Sequence, residues 1–187
     1  MAEDPTIEEL AARAATCTAC GLAVGRTQVV FGDGPHTARV VIVGEAPGAD
    51  EDIQGRPFVG RSGQLLERVL LEEAGLKRHD CYITNVNKCR PPGNRDPEPA
   101  EVAACRPWLD AQMRTLRPDV VLTLGNFASR ALLQTKEGIT RLRGRTYPFG
   151  ASTLVPTFHP AAALRGSPEA MAGLRADVVR VREVLDS

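Results

Sequence analysis

An unbroken apolar run, Val40 to Val43, leads straight into Gly44-Glu-Ala-Pro-Gly48 and then into Ala49 and three acids, Asp50, Glu51 and Asp52. No other stretch constrains the chain so strongly. Such a run, bounded by glycine, suits a strand buried on both faces. A chain that leaves a buried strand through Gly-Glu-x-Pro-Gly makes a tight, exposed turn at the carboxyl end of a sheet. Open α/β folds bind ligands there. Taken alone, the stretch also reads as an ordinary strand-to-helix loop with incidental acids.

Three further segments have strand character: Cys81 to Val86, Asp119 to Gly125, and Thr153 to Phe158. Pro156 gives the last an edge position or a bulge. Thr27 to Phe31 is a candidate for a further small strand. Helical patterns alternate with the strands. Asp4-Pro5 reads as N-cap and first helical residue, followed by Ile7, Leu10, Ala11 and Ala14 at helical spacing. Leu65, Leu66, Val69, Leu70 and Leu71 form the inner face of a helix closed by Gly75. Asp96-Pro97 opens a helix carrying Val102, Cys105, Leu109 and Met113, and Asn126 caps another that runs to Gln134. Ile139 to Tyr147 is basic and ends in a turn at Pro148-Phe-Gly150. Met171, Leu174, Val178, Val181 and Leu185 stripe the last helix. This alternation predicts an α/β fold of three layers, α/β/α, around a central four-stranded, mainly parallel sheet. A length of 187 residues suits one domain spanning 1–187.

No window approaches the roughly 20 apolar residues of a membrane span. The start, Met1-Ala-Glu-Asp-Pro, lacks a signal-peptide pattern. A soluble, cytoplasmic monomer is expected. The formal net charge is zero, but its distribution is uneven. Arg56, Arg61, Arg68, Lys77, Arg78, Lys88 and Arg90 precede Arg95 between Gly55 and Pro97, and Arg141, Arg143 and Arg145 cluster again. That leaves room for a basic face on a neutral protein.

Five cysteines are too few and too unevenly spaced for a secreted disulfide scaffold. Cys17-Thr-Ala-Cys20 follows a helix rather than a strand, which favours a metal knuckle over a redox pair. Cys89, in a proline-rich loop, and Cys105, on the helix that follows it, supply two more thiols. Four thiolates suit zinc or an iron–sulfur cluster, and the lack of a second Cys-x-x-Cys tilts the reading to a cluster. Cys81 lies in a strand and reads as a small buried residue.

The reactive candidates follow strand ends: Glu45 after the first, Asn85 at the second, His159 after the fourth. Parallel strands put their carboxyl ends on one edge, so a carboxylate, an amide and an imidazole would converge. Phe58, in the glycine-rich loop Gln54 to Gly63, is either a stacking platform beside them or a loop anchor. Asn85 could read the edge of a base or cap its own turn.

Gly44-Glu-Ala-Pro-Gly-Ala-Asp-Glu-Asp52, Gly55-Arg-Pro-Phe-Val-Gly60, Thr84-Asn-Val-Asn-Lys-Cys-Arg-Pro-Pro92 and Phe158-His-Pro-Ala161, with the four cysteines, carry a resemblance. Across residues 17 to about 165 the chain resembles the family 4 uracil-DNA glycosylases, the iron–sulfur type of bacteria and archaea. The resemblance implies a [4Fe-4S] cluster on Cys17, Cys20, Cys89 and Cys105, and hydrolysis of the N-glycosidic bond of deoxyuridine in single- or double-stranded DNA. It implies that Phe58 stacks on the extruded base and that Asn85 reads its edge. His159 would stabilise charge on O2, and Ala46 and Glu45 would contact the base through their backbone. Glu51 would belong to the wall that excludes the thymine methyl. Glu45 is the nearest carboxylate for the water. Leu164 and Arg165 resemble a wedge into the duplex, and Arg61, Arg90, Arg95 and Arg143 are candidates for phosphate contacts. A related group that bonds covalently to DNA carries a basic insertion ending in histidine after the cysteine loop. Cys89-Arg-Pro-Pro-Gly-Asn-Arg-Asp has no histidine, so ordinary turnover is expected. Two rival readings are a non-catalytic DNA-binding module and a zinc-stapled nucleotide-binding protein.

Overall fold

Alternate side chains of a strand point to opposite faces, so four consecutive apolar residues require cover on both sides. The computed structural model describes residues 4–187 and places this run as β1 (Val40–Gly44), buried throughout, inside a sheet. β2 (Cys81–Asn85) and β3 (Val120–Leu124) flank it, both parallel to it. β5 (Ser152–Thr157) runs parallel beside β3, and β4 (Tyr147–Phe149) closes the edge antiparallel. The order is β2-β1-β3-β5-β4.

The sheet therefore has five strands where four were expected. β4 is three residues long, one of them proline, and folds back on β5 through the left-handed Gly150. Three residues carry too little alternation to register as a strand in sequence. Because β4 pairs only with residues 152–154, one side of β5 has no strand neighbour at Pro156 among the described residues, which explains why proline is tolerated there.

The helices are α1 (Ile7–Ala14), α2 (Leu22–Gly25), α3 (Ala49–Gln54), α4 (Arg61–Val69), α5 (Pro99–Leu116), α6 (Gly125–Leu133), α7 (Ile139–Leu142), α8 (Pro160–Leu164) and α9 (Pro168–Asp186). Val41, Val43, Tyr82, Val121 and Leu154 pack in one core with residues of α1, α5 and α6. Val40, Ile42, Ile83, Val120, Leu122 and Val155 pack in a second with residues of α4 and α9. Three layers result, and burying each such side chain contributes about 1.5–3 kcal/mol.

Several local expectations shift. α1 is capped by Thr6 rather than Asp4: Thr6 Oγ1 accepts the Glu9 N–H at 3.2 Å, and Glu9 accepts the Thr6 N–H at 2.8 Å. α5 starts at Pro99, not Asp96-Pro97, because Glu101 accepts the Glu98 N–H at 2.8 Å and closes the first turn there. Asn126 lies inside α6, and its Oδ1 accepts the Ile139 N–H at 2.7 Å, tying α6 to α7. Thr27 to Phe31 forms no strand, and Val30 there donates to the Lys88 carbonyl at 2.8 Å. Leu71 is exposed while Leu65, Leu66, Val69 and Leu70 are buried. After Val69 the helix widens into a π-helical turn, Leu70–Ala74, whose different winding takes Leu71 off the inner stripe.

Two strand pairings fix the site. Gly44 stands opposite Asn85, and Leu124 opposite Thr157. The carboxyl ends of β1, β2, β3 and β5 thus share one edge. β1 has β2 on one side and β3 on the other, so a crevice opens at its end. Among the described residues no helix is long and apolar enough to cross a membrane.

Candidate active site

At that edge lies a cleft of about 720 Å³. Glu45, Ala46, Glu51, Phe58, Asn85 and His159 all line it, together with Arg95 and Arg165. The parallel sheet thus brings together groups that lie more than a hundred residues apart in the chain.

Asn85 ends β2 and is buried, and its Oδ1 has no hydrogen-bond partner among the described residues. A buried, unpaired amide oxygen costs about 1–3 kcal/mol unless something fills it. Here the group lines a cleft, so a ligand N–H can satisfy it. A Cβ placed on Gly44 would lie 2.5 Å from Asn85 Oδ1 and 2.6 Å from Phe58 Cε2. Only glycine lets the amide and the ring close over the end of β1.

Phe58 is nearly buried, with its ring centroid 5.8 Å from that of His159 and the planes tilted by 32°. The ring is packed into the fold and is also part of the cleft wall.

His159 caps α8. Its Nδ1 accepts the Ala161 N–H at 3.1 Å, which leaves Nε2 as the protonated nitrogen of the neutral ring. Burial, helped by the positive charge of Arg165, lowers its pKa to about 4. The imidazole is therefore a neutral N–H donor at pH 7.

The Glu45 carboxyl is pushed up to about 7, mainly by burial and secondarily by the charge of Asp96. A carboxylate with that affinity can take a proton from water near neutrality. Glu51 acts on the wall itself. Its two oxygens accept the N–H groups of Gly48 at 3.1 Å and Val59 at 3.0 Å, so it joins the turn after β1 to the Phe58 loop.

The basic candidates separate. Arg95 lines the cleft while making paired bonds of 2.9 and 2.7 Å to the buried Glu101. Arg165 also lines the cleft, and Leu164 beside it is 38% exposed at the end of α8. Arg61 is exposed at the start of α4 outside the cleft lining, and Arg90 donates to Asn94 Oδ1 at 2.7 Å. Arg143 turns inward: it donates to the fully buried Asp177 at 2.9 and 3.1 Å and lies over the Phe158 ring. Its charge is already matched inside the fold.

Cys17, Cys20, Cys89 and Cys105 line one separate cavity with mostly apolar walls. Arg26 donates to Cys89 Sγ at 3.4 Å, and the Lys88 backbone N–H donates to Cys105 Sγ at 3.3 Å. Among the described residues no three His, Cys, Asp or Glu side chains gather around one ion-sized point. Four thiols lining a common space, two already receiving N–H donors, are a donor set that zinc and an iron–sulfur cluster both use. Burial pushes the Cys89 and Cys105 thiols upward, so the free site holds protons that a metal would displace. Cys81 is fully buried in β2, outside this cavity.

Sequence reasoning missed two residues behind the site. Asp96 lines the cleft, delivered by the loop between the two single cysteines. Lys88 is buried, its Nζ donating to Asn85 O and Thr84 Oγ1 at 2.7 Å and to Gln112 Oε1 at 2.5 Å, so it braces the residue that ends β2. A lysine next to a cysteine in a basic stretch gives no signal of burial. Asp96 had one signal, its place in the segment between two of the candidate ligands, Cys89 and Cys105.

What the cleft can do follows from these groups. It offers an aromatic ring, an amide with an open acceptor, a neutral N–H donor and a carboxylate that is basic near neutrality. A flat heterocycle with polar edges suits it.

Comparison with known proteins agrees. Residues 31–179 match the sequence model of the uracil DNA glycosylase superfamily. The chain is 48% identical to a type-4 uracil-DNA glycosylase of Thermotoga maritima over 161 residues, covering 85% of this chain and 83% of that protein. A type-4 enzyme of Saccharolobus solfataricus is 44% identical, with 91% of this chain and 82% of that protein covered. A type-5 uracil-DNA glycosylase of Thermus thermophilus is more distant, at 33% identity over 70% of this chain and 68% of that protein. The chain belongs to the uracil-DNA glycosylase superfamily, in its type-4 group.

Proposed function

We propose that this type-4 member removes uracil from DNA by hydrolysing the N-glycosidic bond, leaving an abasic site for base excision repair. The observation that carries the reading is the unpaired, buried Oδ1 of Asn85 in a cleft shared with Phe58 and His159.

The target base leaves the helical stack, at a cost of a few kcal/mol, and enters the cleft. Phe58 supports its face. Asn85 accepts the N3–H of uracil through Oδ1. Cytosine has a lone pair at that nitrogen, so the same amide oxygen repels it and the buried polar group stays unmatched. Glu51 fixes a wall joining Gly48 and Val59, and the added methyl of thymine would have to displace it. The backbone of Glu45 and Ala46 completes the lining.

As the C1′–N1 bond breaks, its electron pair leaves with the base and negative charge builds on O2. The neutral Nε2–H of His159 donates to that oxygen. One such donor contributes about 3 kcal/mol of transition-state stabilisation. The water oxygen bonds to C1′ and gives a proton to the Glu45 carboxylate. The uracil anion takes its proton from solvent after release. No protein atom bonds to the sugar, which is turnover without a covalent adduct.

Cys17, Cys20, Cys89 and Cys105 would hold a [4Fe-4S] cluster. Bound there, it would supply iron–thiolate bonds that cross-link the segment after α1 to Cys89, ahead of the loop carrying Arg95 and Asp96, and to Cys105 in α5. Arg95 and Arg165 would meet phosphates, Leu164 would fill the gap left by the base, and Arg61 and Arg90 would add charge on the same approach. The protein would act as a cytoplasmic monomer on single- or double-stranded substrate.

The test is release of free uracil from a uracil-containing oligonucleotide, with the thymine and cytosine counterparts left intact. A non-catalytic DNA-binding module would bind all three and release nothing.

A further inference from the structure

The ring of Phe58 sits on an unfavourable backbone. Its φ is 52°, in the left-handed region that a bulky side chain ordinarily avoids. Something outside the cleft must impose that conformation.

Two features meet at this turn. A side chain on Gly63, in α4, would collide with the Phe58 carbonyl oxygen, so glycine lets that carbonyl tuck against the helix. The other feature is Arg78, from the short 3-10 turn Arg78–Asp80 that precedes β2. Its Nη1 donates to Phe58 O at 2.9 Å and its Nη2 to Pro57 O at 2.6 Å. The guanidinium is held in turn by Asp33 at 3.2 Å and Glu67 at 3.0 Å, and only 17% of the side chain is exposed. Arg78 does not line the cleft. Its planar fork spans two successive carbonyls and two carboxylates together, which a lysine ammonium cannot do.

We propose that Arg78 is the positioning residue of the Phe58 platform. By fixing the Pro57 and Phe58 carbonyls it holds the strained turn that presents the ring to the base, without touching substrate itself. The inference rests on the platform role proposed for Phe58. Pre-setting the ring before binding removes an ordering cost that a mobile loop would carry into every turnover.

The experiment is a double-mutant cycle on the intact holoprotein. kcat and KM are measured on a single-stranded uracil oligonucleotide, where no duplex has to open. Losing an ordered stacking contact lowers kcat/KM by roughly tenfold or more, and Phe58→Ala should show that loss. Arg78→Ala should reproduce most of it, yet cost less than about twofold when added to Phe58→Ala, because both changes remove the same contact. Arg78→Lys keeps the charge between Asp33 and Glu67 but cannot reach both carbonyls, and should fall with Arg78→Ala. If Arg78→Ala does not fold, the cycle is run with Arg78→Lys. Losses that multiply in the double variant, or full kcat/KM in Arg78→Lys, overturn the inference and leave the platform intact. Full activity in Phe58→Ala would overturn the platform role itself, and the inference with it.

Discussion

The Nδ1 of His159 accepts the backbone N–H of Ala161 at 3.1 Å. This one bond sets the chemistry of the ring. The lone pair on Nδ1 is engaged, the proton sits on Nε2, and a pKa of about 4 keeps the ring uncharged through the neutral range. Loss of activity through protonation of His159 should appear only near pH 4. Glu45, with a pKa of about 7, would have to be ionised to act as the proposed base for water. The log of kcat/KM should therefore rise with pH up to about 7 and level off above it. Glu45→Gln should be slower and lack that rise. A limb near the ordinary histidine pKa in both proteins would contradict these assignments.

The same carboxyl has a consequence for stability. Its folded pKa lies above its unfolded one, so the folded state binds the proton more tightly. The stabilisation is complete below the unfolded value near 4.5 and is lost as pH rises through about 7. Glu45→Gln cannot ionise. Its melting temperature should gain on the wild type between pH 5 and 8, with the gap constant at higher pH. Parallel melting curves across that range would show that Glu45 is not held in an unfavourable setting.

Gly44 is a packing test of the cleft. A Cβ there would stand 2.5 Å from Asn85 Oδ1 and 2.6 Å from Phe58 Cε2. Gly44→Ala should fold, since the ring and amide lie at the edge of the sheet, but should lose at least tenfold in kcat/KM through displacement of both groups. Wild-type kinetics would mean that neither group needs its place.

The four-cysteine cavity predicts a coloured protein. Iron and acid-labile sulfide should be found in equal amounts, with the broad visible absorption of an iron–sulfur cluster. Cys105→Ser should lower iron content and melting temperature together, because the ligand joins α5 to the rest of the site. Cys81→Ser, in β2 and outside the cavity, should leave the iron unchanged. A colourless protein holding stoichiometric zinc would contradict the cluster.

Much of the fold was legible because apolar runs ending in glycine or polar turns mark buried parallel strands. Once Gly44, Asn85 and His159 are placed after such runs, the parallel sheet brings their neighbours to one edge without further information. What was not legible depends on contacts between distant segments. β4 exists because a three-residue piece finds β5. Leu71 leaves the inner face because a π-helical turn interrupts the helical period. Arg78, Lys88 and Arg143 looked alike in a basic count, yet one grips the Phe58 turn, one braces Asn85 and one is matched to Asp177. A charged residue's partner is chosen by the tertiary fold, and its own sequence neighbourhood carries no trace of the choice.

The most direct measurement follows free uracil released from a single-stranded oligonucleotide by the wild type, His159→Ala and Asn85→Ala under multiple turnover. Free uracil is expected from the wild type. A fall of about a hundredfold or more in kcat is expected without His159, the scale set by removal of one oxyanion donor. Asn85→Ala should lose discrimination against cytosine as well as rate. Undiminished uracil release by both variants would mean that the bond is not broken in this cleft.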